Sequence, residues 1–326
     1  MGNSSLLRLG PCLCQRSWDR SSPRSLVHSP ARAISHKAHL EPVRPLVYDL
    51  HAPARPRTDE KQAPVVFLHG LFGSKKNNRG ISKALARDLG RYVYALDLRN
   101  HGESPHDERH DYPAMAEDVS AFIQDHGLRD TTIIGHSMYA PLMPGHRRDR
   151  GAKIAMTLAL RSPEMVANLV AVDNAPVDVA LNKDFAQYIR GMQKIQDSNV
   201  SRQVEADQIL RDFEESPPIR QFLLGNLYRP DGGNTQKFRI PLGILARSLG
   251  NLGDFPYKNP GEKRFGKPAL FVRGTTSNYV ANDMLPAIGQ FFPRFRLADV
   301  DAGHWLISEQ PEAFRQAVVD FLEDVE

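Results

Sequence analysis

Ser137 stands in the run Gly135-His136-Ser137-Met138, directly after an apolar stretch, Thr131 to Gly135, that reads as a buried strand. A serine placed there sits on a sharp strand-to-helix turn that lifts its hydroxyl above the sheet. A hydroxyl is a poor nucleophile until a base takes its proton. His304, in Asp301-Ala302-Gly303-His304-Trp305, follows the last apolar run and comes just before the final helix, where an imidazole can return over the sheet. The acid that orients this histidine has two places to come from. The loop Gly274 to Val280 carries no carboxylate before Asp283, whereas Asp173 closes the run Val170-Ala171-Val172, with Asp178 nearby as a weaker rival. A developing oxyanion also needs backbone N–H donors, one from the residue after the nucleophile and one from the loop after an early strand. These are assigned to Met138 and to Leu71, the latter in His69-Gly70-Leu71.

Such residues work only if a scaffold brings them together, and the apolar pattern supplies one. Strands are expected at Val65 to Leu68, Tyr92 to Leu98, Thr131 to Gly135, Leu169 to Val172, Ala269 to Val272 and Phe295 to Val300. Helices are expected at about Arg79 to Leu89, Pro113 to Asp125, Ala152 to Leu160 and Pro311 to Leu322. Strands alternating with helices imply an α/β fold with a mostly parallel sheet and helices on both faces. Helical and loop segments then run without strand signals across residues 179–264, which reads as a helical lid inserted into the sheet domain. The expected organisation is a basic leader over 1–44, a first core part over 45–178, the lid over 179–264, and a second core part over 265–326.

His69-Gly70-Leu71-Phe72-Gly73-Ser74, Asp97-Leu98-Arg99-Asn100-His101-Gly102-Glu103-Ser104, the Ser137 turn, Val172-Asp173-Asn174-Ala175-Pro176 and Asp301 to Trp305 occur in this order along the chain. The combination resembles the mitochondrial α/β-hydrolase domain-containing serine hydrolases, a group that includes the yeast ethanol acetyltransferases. The resemblance runs from about Leu46 to the C-terminus and implies the α/β-hydrolase fold. It also implies a Ser-Asp-His triad that moves acyl groups from small esters or acyl thioesters to water or a short alcohol. Some members of the group carry an aspartate, considered for the triad, where this chain has Gly243, so the resemblance also favours Asp173.

The pattern is interrupted at one point. A nucleophile turn of the form G-x-S-x-G closes with a small residue because a side chain two positions after the serine collides with its neighbours. Tyr139 is there instead, and the expected continuation, Gly151-Ala152-Lys153, arrives only after the twelve residues 139–150. Omitting them restores Gly-His-Ser-Met-Gly-Ala-Lys and shortens the separation of Ser137 and Asp173 from 36 to 24 positions, the spacing of the resembling group. The segment has two prolines and three arginines and does not continue a helix. It reads as translated intron. As written, the chain is therefore expected to be severely impaired, and the rival to the enzyme is a catalytically impaired binding protein of the same fold.

Composition narrows the partners. The net charge is +4, but residues 1–40 hold five arginines and Lys37 against Asp19 alone, a local excess of +5, leaving the remainder near −1. A nucleic-acid partner is excluded by that distribution. The basic leader, rich in serine and leucine and poor in acids, has the composition of a mitochondrial transit peptide. Cys12 and Cys14, the two cysteines, both fall within it. No apolar run is long enough to span a membrane. Neither a metal nor a cofactor is called for, and the expected ligand is a small ester or an acyl-CoA. An epoxide hydrolase or dehalogenase would need an aspartate at position 137.

Overall fold

The computed structural model describes Pro42 and residues 45–54, 63–136, 151–178 and 183–325. Apart from Pro42, the basic leader lies outside the described residues. So do Ser137, Met138 and the twelve residues that follow them.

The described chain runs β1 (Tyr48–His51), β2 (Val65–Leu68), α1 (Arg79–Leu89), β3 (Val93–Leu96), α2 (Tyr112–Asp125), β4 (Thr131–His136), α3 (Gly151–Arg161) and β5 (Val166–Val172). A helical block follows: α4 (Lys183–Asp197), α5 (Gln203–Leu210), α6 (Pro217–Leu224), the short strands β6 (Leu227–Tyr228) and β7 (Lys237–Phe238), and α7 (Leu242–Ser248). The sheet then resumes with β8 (Ala269–Gly274), α8 (Leu285–Phe291), β9 (Phe295–Val300), α9 (Leu306–Glu309) and α10 (Pro311–Val325). Seven strands form one sheet in the order β1-β3-β2-β4-β5-β8-β9, every pairing parallel except that of β1 with β3.

Alternation along the central strands explains the two covered faces. In β2, Val66 and Leu68 belong to the core shared with α2, α3 and α8, while Val65 and Phe67 belong to the core shared with α1 and α10. A strand buried on both sides reads as an uninterrupted apolar run, which is why β2 stands out in the sequence. The α2 helix starts where Asp111 accepts a hydrogen bond from the Ala114 N–H at 2.9 Å, with Pro113 in the first turn. Six of the expected elements, β2, α1, β4, β8, β9 and α10, begin at the residues predicted; β5 begins three residues earlier than expected.

The block between β5 and β8 has its own apolar core, with Tyr188, Met192, Ile195, Leu210, Leu223 and Leu245 fully or nearly buried. Leu71 and Phe72, from the loop after β2, belong to this core rather than to either face of the sheet. No helix among the described residues is long and apolar enough to cross a membrane.

The motif Asp97 to Ser104 holds the loops after β2 and β3 together. Asp97 accepts from the Lys75 N–H at 2.7 Å, from Lys75 Nζ at 2.8 Å and from the Glu103 N–H at 2.9 Å. Arg99, buried, grips the Asp118 carboxylate of α2 through Nε at 2.5 Å and a terminal nitrogen at 2.6 Å. Charges taken this far out of water persist only when paired.

Candidate active site

Parallel strands present their carboxyl ends to one rim of the sheet, where α/β proteins place their ligands. The described loops after β2, β5, β8 and β9 therefore converge, and three of them carry predicted site residues. Asp173 continues the β5 ladder through its N–H, 2.7 Å from the Val272 carbonyl. Its φ of 51° is left-handed, a conformation that aspartate tolerates better than most residues. There the side chain turns to the loops that follow β8 and β9.

His304 Nδ1 lies 2.5 Å from Asp173 Oδ2, and both side chains are wholly buried. A carboxylate can only accept, so Nδ1 carries the proton and Nε2 is left as the acceptor. Nε2 is buried and has no hydrogen-bond partner among the described residues. Asp173 is itself held, accepting from Ser277 Oγ at 2.6 Å and from the Gly274 N–H at 3.2 Å. The imidazole lies against Tyr279, with ring centroids 4.0 Å apart and planes inclined by 27°. Asp178, the rival acid, bonds to Lys258 and to the Phe255 N–H at 2.7 Å instead. Gly243 is exposed at the start of α7.

Ser277 and Tyr279 were not legible in the sequence as site residues, because neither is a carboxylate and the loop 274–280 carries no motif that marks them. The signal available was positional, since a loop following the strand next to β5 must pass beside Asp173.

Leu71 sits in a turn closed by the Gly73 N–H on the Gly70 carbonyl at 3.1 Å. Phe72, the third residue of that turn, has φ 58°, a conformation that costs a bulky residue on the order of 1–3 kcal/mol and is stabilised by its partners. Its N–H donates to His101 Nε2 at 3.1 Å and its carbonyl accepts from Asn226 Nδ2 at 2.8 Å. The Leu71 N–H has no partner among the described residues. His69 locks the start of the same loop, with Nδ1 donating to the Gly70 carbonyl at 2.7 Å and Nε2 accepting from the Leu98 N–H at 3.0 Å.

Ser137 and Met138 lie outside the described residues, but the chain on either side of them is informative. A Cβ on Gly151 would stand 2.0 Å from the His136 carbonyl oxygen and 2.8 Å from that of His69. A Cβ on Gly135 would stand 2.5 Å from the Gly151 carbonyl oxygen and 2.7 Å from Ala155 Cβ. The two glycines thus pack face to face between β4 and α3, with room for no side chain on either. Tight packing of this kind is the reason a nucleophile turn ends in glycine, and here Gly151 meets it, fourteen positions beyond Ser137.

His136 is buried with both ring nitrogens unpartnered among the described residues, and burial, then the nearby His304, hold its pKa well below the usual imidazole value. Burial likewise lowers that of His69. Both rings stay neutral in the folded chain while the unfolded chain takes up protons below about pH 6.5. The unfolded state then binds more protons, so stability falls as pH drops below that point, by up to about 1.4 kcal/mol per pH unit for each ring. Thermal unfolding midpoints measured between pH 7.5 and 5 are expected to be level above pH 7 and to decline below 6.5. A midpoint unchanged down to pH 5 would contradict the neutral buried rings.

A parallel sheet flanked by helices, with a buried Asp-His pair at its carboxyl rim, defines the α/β-hydrolase class. The model of the alpha/beta hydrolase fold family matches residues 63–311, and the chain belongs to that family of enzymes. It is 40% identical over 276 residues to a probable alcohol acetyltransferase of Saccharomyces cerevisiae, a match covering 80% of this chain and 77% of that protein. To an sn-1-specific diacylglycerol lipase, ABHD11, of Xenopus laevis it is 35% identical over 328 residues, covering 95% of this chain and 97% of the other. Among solved structures, a marine microorganism esterase superposes with a TM-score of 0.74 at 29% identity, covering 85% of this chain and 98% of that one. The resemblance read from the motifs is therefore borne out at the level of fold and family.

Proposed function

We propose that the chain is a serine hydrolase or acyltransferase acting through Ser137, Asp173 and His304. His304 Nε2 takes the Ser137 proton as Oγ bonds to the acyl carbon. The N–H groups of Leu71 and Met138 hold the oxyanion, and the proton passes to the departing alcohol or thiol as its bond to carbon breaks. Water or a short alcohol, deprotonated by the same nitrogen, then releases the acyl group and restores the serine. Small esters and acyl thioesters, acyl-CoA included, are the substrates. The observation that carries this reading is the buried Asp173 to His304 pair, with Nε2 lacking a partner among the described residues, at the rim where β4 ends. The names of the yeast and Xenopus relatives, an acetyltransferase and a lipase, both describe acyl transfer and support it.

The helical block acts as the lid that shapes the acyl and alcohol sites, and the basic leader over 1–44 directs the chain to mitochondria by its composition. A second reading, a non-catalytic binding protein of the same fold, is favoured by Tyr139 standing where the turn needs a small residue.

A fluorophosphonate probe separates the two readings. The full chain and a chain lacking residues 139–150 are each treated alongside their Ser137→Ala counterparts. Labelling of either that disappears in its alanine variant supports the enzyme; labelling of neither leaves the binding protein.

A further inference from the structure

The helical block meets the loops at the rim of the sheet through both polar and apolar contacts. Asn226, between α6 and β6, is buried and bonded on its own side: its N–H and Nδ2 both donate to the Leu223 carbonyl at 3.2 Å, and its carbonyl accepts from the Arg239 N–H at 2.9 Å. With that anchorage Nδ2 reaches the Phe72 carbonyl at 2.8 Å, across 154 positions of sequence. Phe72 is the left-handed residue of the turn that carries Leu71, and its ring packs on Phe185 of α4 with centroids 5.8 Å apart. An apolar contact lies where Trp305, next to His304, meets Phe222 of α6 edge to face at 5.4 Å.

The Phe72 peptide units are thus held from opposite sides. His101, on the loop after β3, takes the N–H, and Asn226, on the helical block, supplies a donor to the carbonyl. Without both, a phenylalanine at φ 58° has reason to relax into the ordinary extended or helical regions. Relaxation would rotate the adjoining Leu71 to Phe72 peptide, and the turn closed by the Gly73 N–H on the Gly70 carbonyl would pass that change back to the Gly70 to Leu71 peptide, which carries the Leu71 N–H. A hydrogen bond to a developing oxyanion is strongly directional, so that donor must be fixed before reaction begins.

We infer that Asn226 is a positioning residue for the oxyanion hole, so that the helical block sets transition-state stabilisation as well as substrate entry. The inference rests on the proposed role of the Leu71 N–H. It assigns to the block a part in kcat that a mere cover would not have.

The test is Asn226→Leu, which keeps the volume and removes the donor, made in the full chain and in the chain lacking residues 139–150. Active sites are counted by fluorophosphonate titration so that rates refer to folded, competent protein, and kcat and KM are measured with 4-nitrophenyl acetate. The expected result is a fall in kcat per titrated site of about 10 to 100-fold, short of the effect of removing a donor outright, with KM within about threefold. Asn226→Gln, which retains an amide donor, should recover part of the loss. An unchanged kcat per site, or a rise in KM alone, overturns the inference and leaves the block a cover. Absence of titratable serine in both parent forms overturns the catalytic reading itself, and this inference with it.

Discussion

Removing residues 139–150 is expected to raise the second-order rate of fluorophosphonate labelling at Ser137 at least about a hundredfold over the full chain. Loss of a single oxyanion donor commonly costs on the order of a hundred to a thousandfold. The Met138 N–H, one of the two proposed donors, immediately precedes the extra segment. The contact between Gly151 and the His136 carbonyl shows that the sheet and α3 are already in the positions that a short turn would join. A two-residue turn spans that contact, so the thermal midpoint of the shortened chain should be equal or higher. Equal labelling of both forms would mean that the full chain already presents its serine correctly. Slower labelling of the shortened form would mean that the segment is part of the site.

The second large effect is expected of Asp173→Asn. The change should lower kcat about ten-thousandfold in whichever form labels faster, with far less effect on KM, because an amide can no longer fix the proton on His304 Nδ1. Ser277 Oγ and the Gly274 N–H also donate to this side chain, so its orientation survives while its charge does not. Asp178→Asn, whose carboxylate faces Lys258, should turn over nearly as the parent does. Steady-state rates with 4-nitrophenyl acetate, alongside thermal midpoints, check both variants. A loss below tenfold for Asp173→Asn would remove it from the triad.

The sequence disclosed much of this because Asp173 closes β5, a strand buried on both faces, and His304 follows the last strand just before the closing helix. Both positions were legible, and the structure brings the two side chains into contact. The edge strand β1 was not, because Tyr48 to His51 lies in a Pro- and Arg-rich stretch and is held by backbone pairing with β3 rather than by an apolar pattern. Helix α8 was missed for a related reason, being short and having a proline in its first turn. Asn226 left no signal at all. Its role comes from a contact across 154 positions, and an asparagine between a helix and a strand otherwise reads as a turn residue. The motif Asp97 to Ser104, prominent in the resemblance but without an assigned role, proves to be a brace of buried charges around Asp97 and Arg99.

The packing of Gly151 against His136 also governs how the chain can fail. Two points in van der Waals contact are joined by the fourteen residues 137–150, where two would do. Closing that longer loop adds nearly three doublings of length, an entropic penalty of roughly 1.7 kcal/mol. That is a tolerable fraction of the 5–15 kcal/mol that typically separates folded from unfolded chains. The extra segment would thus lengthen the search for the native contact between β4 and α3 while leaving the finished sheet intact. Selection for folding would not remove such a segment; only selection on turnover would.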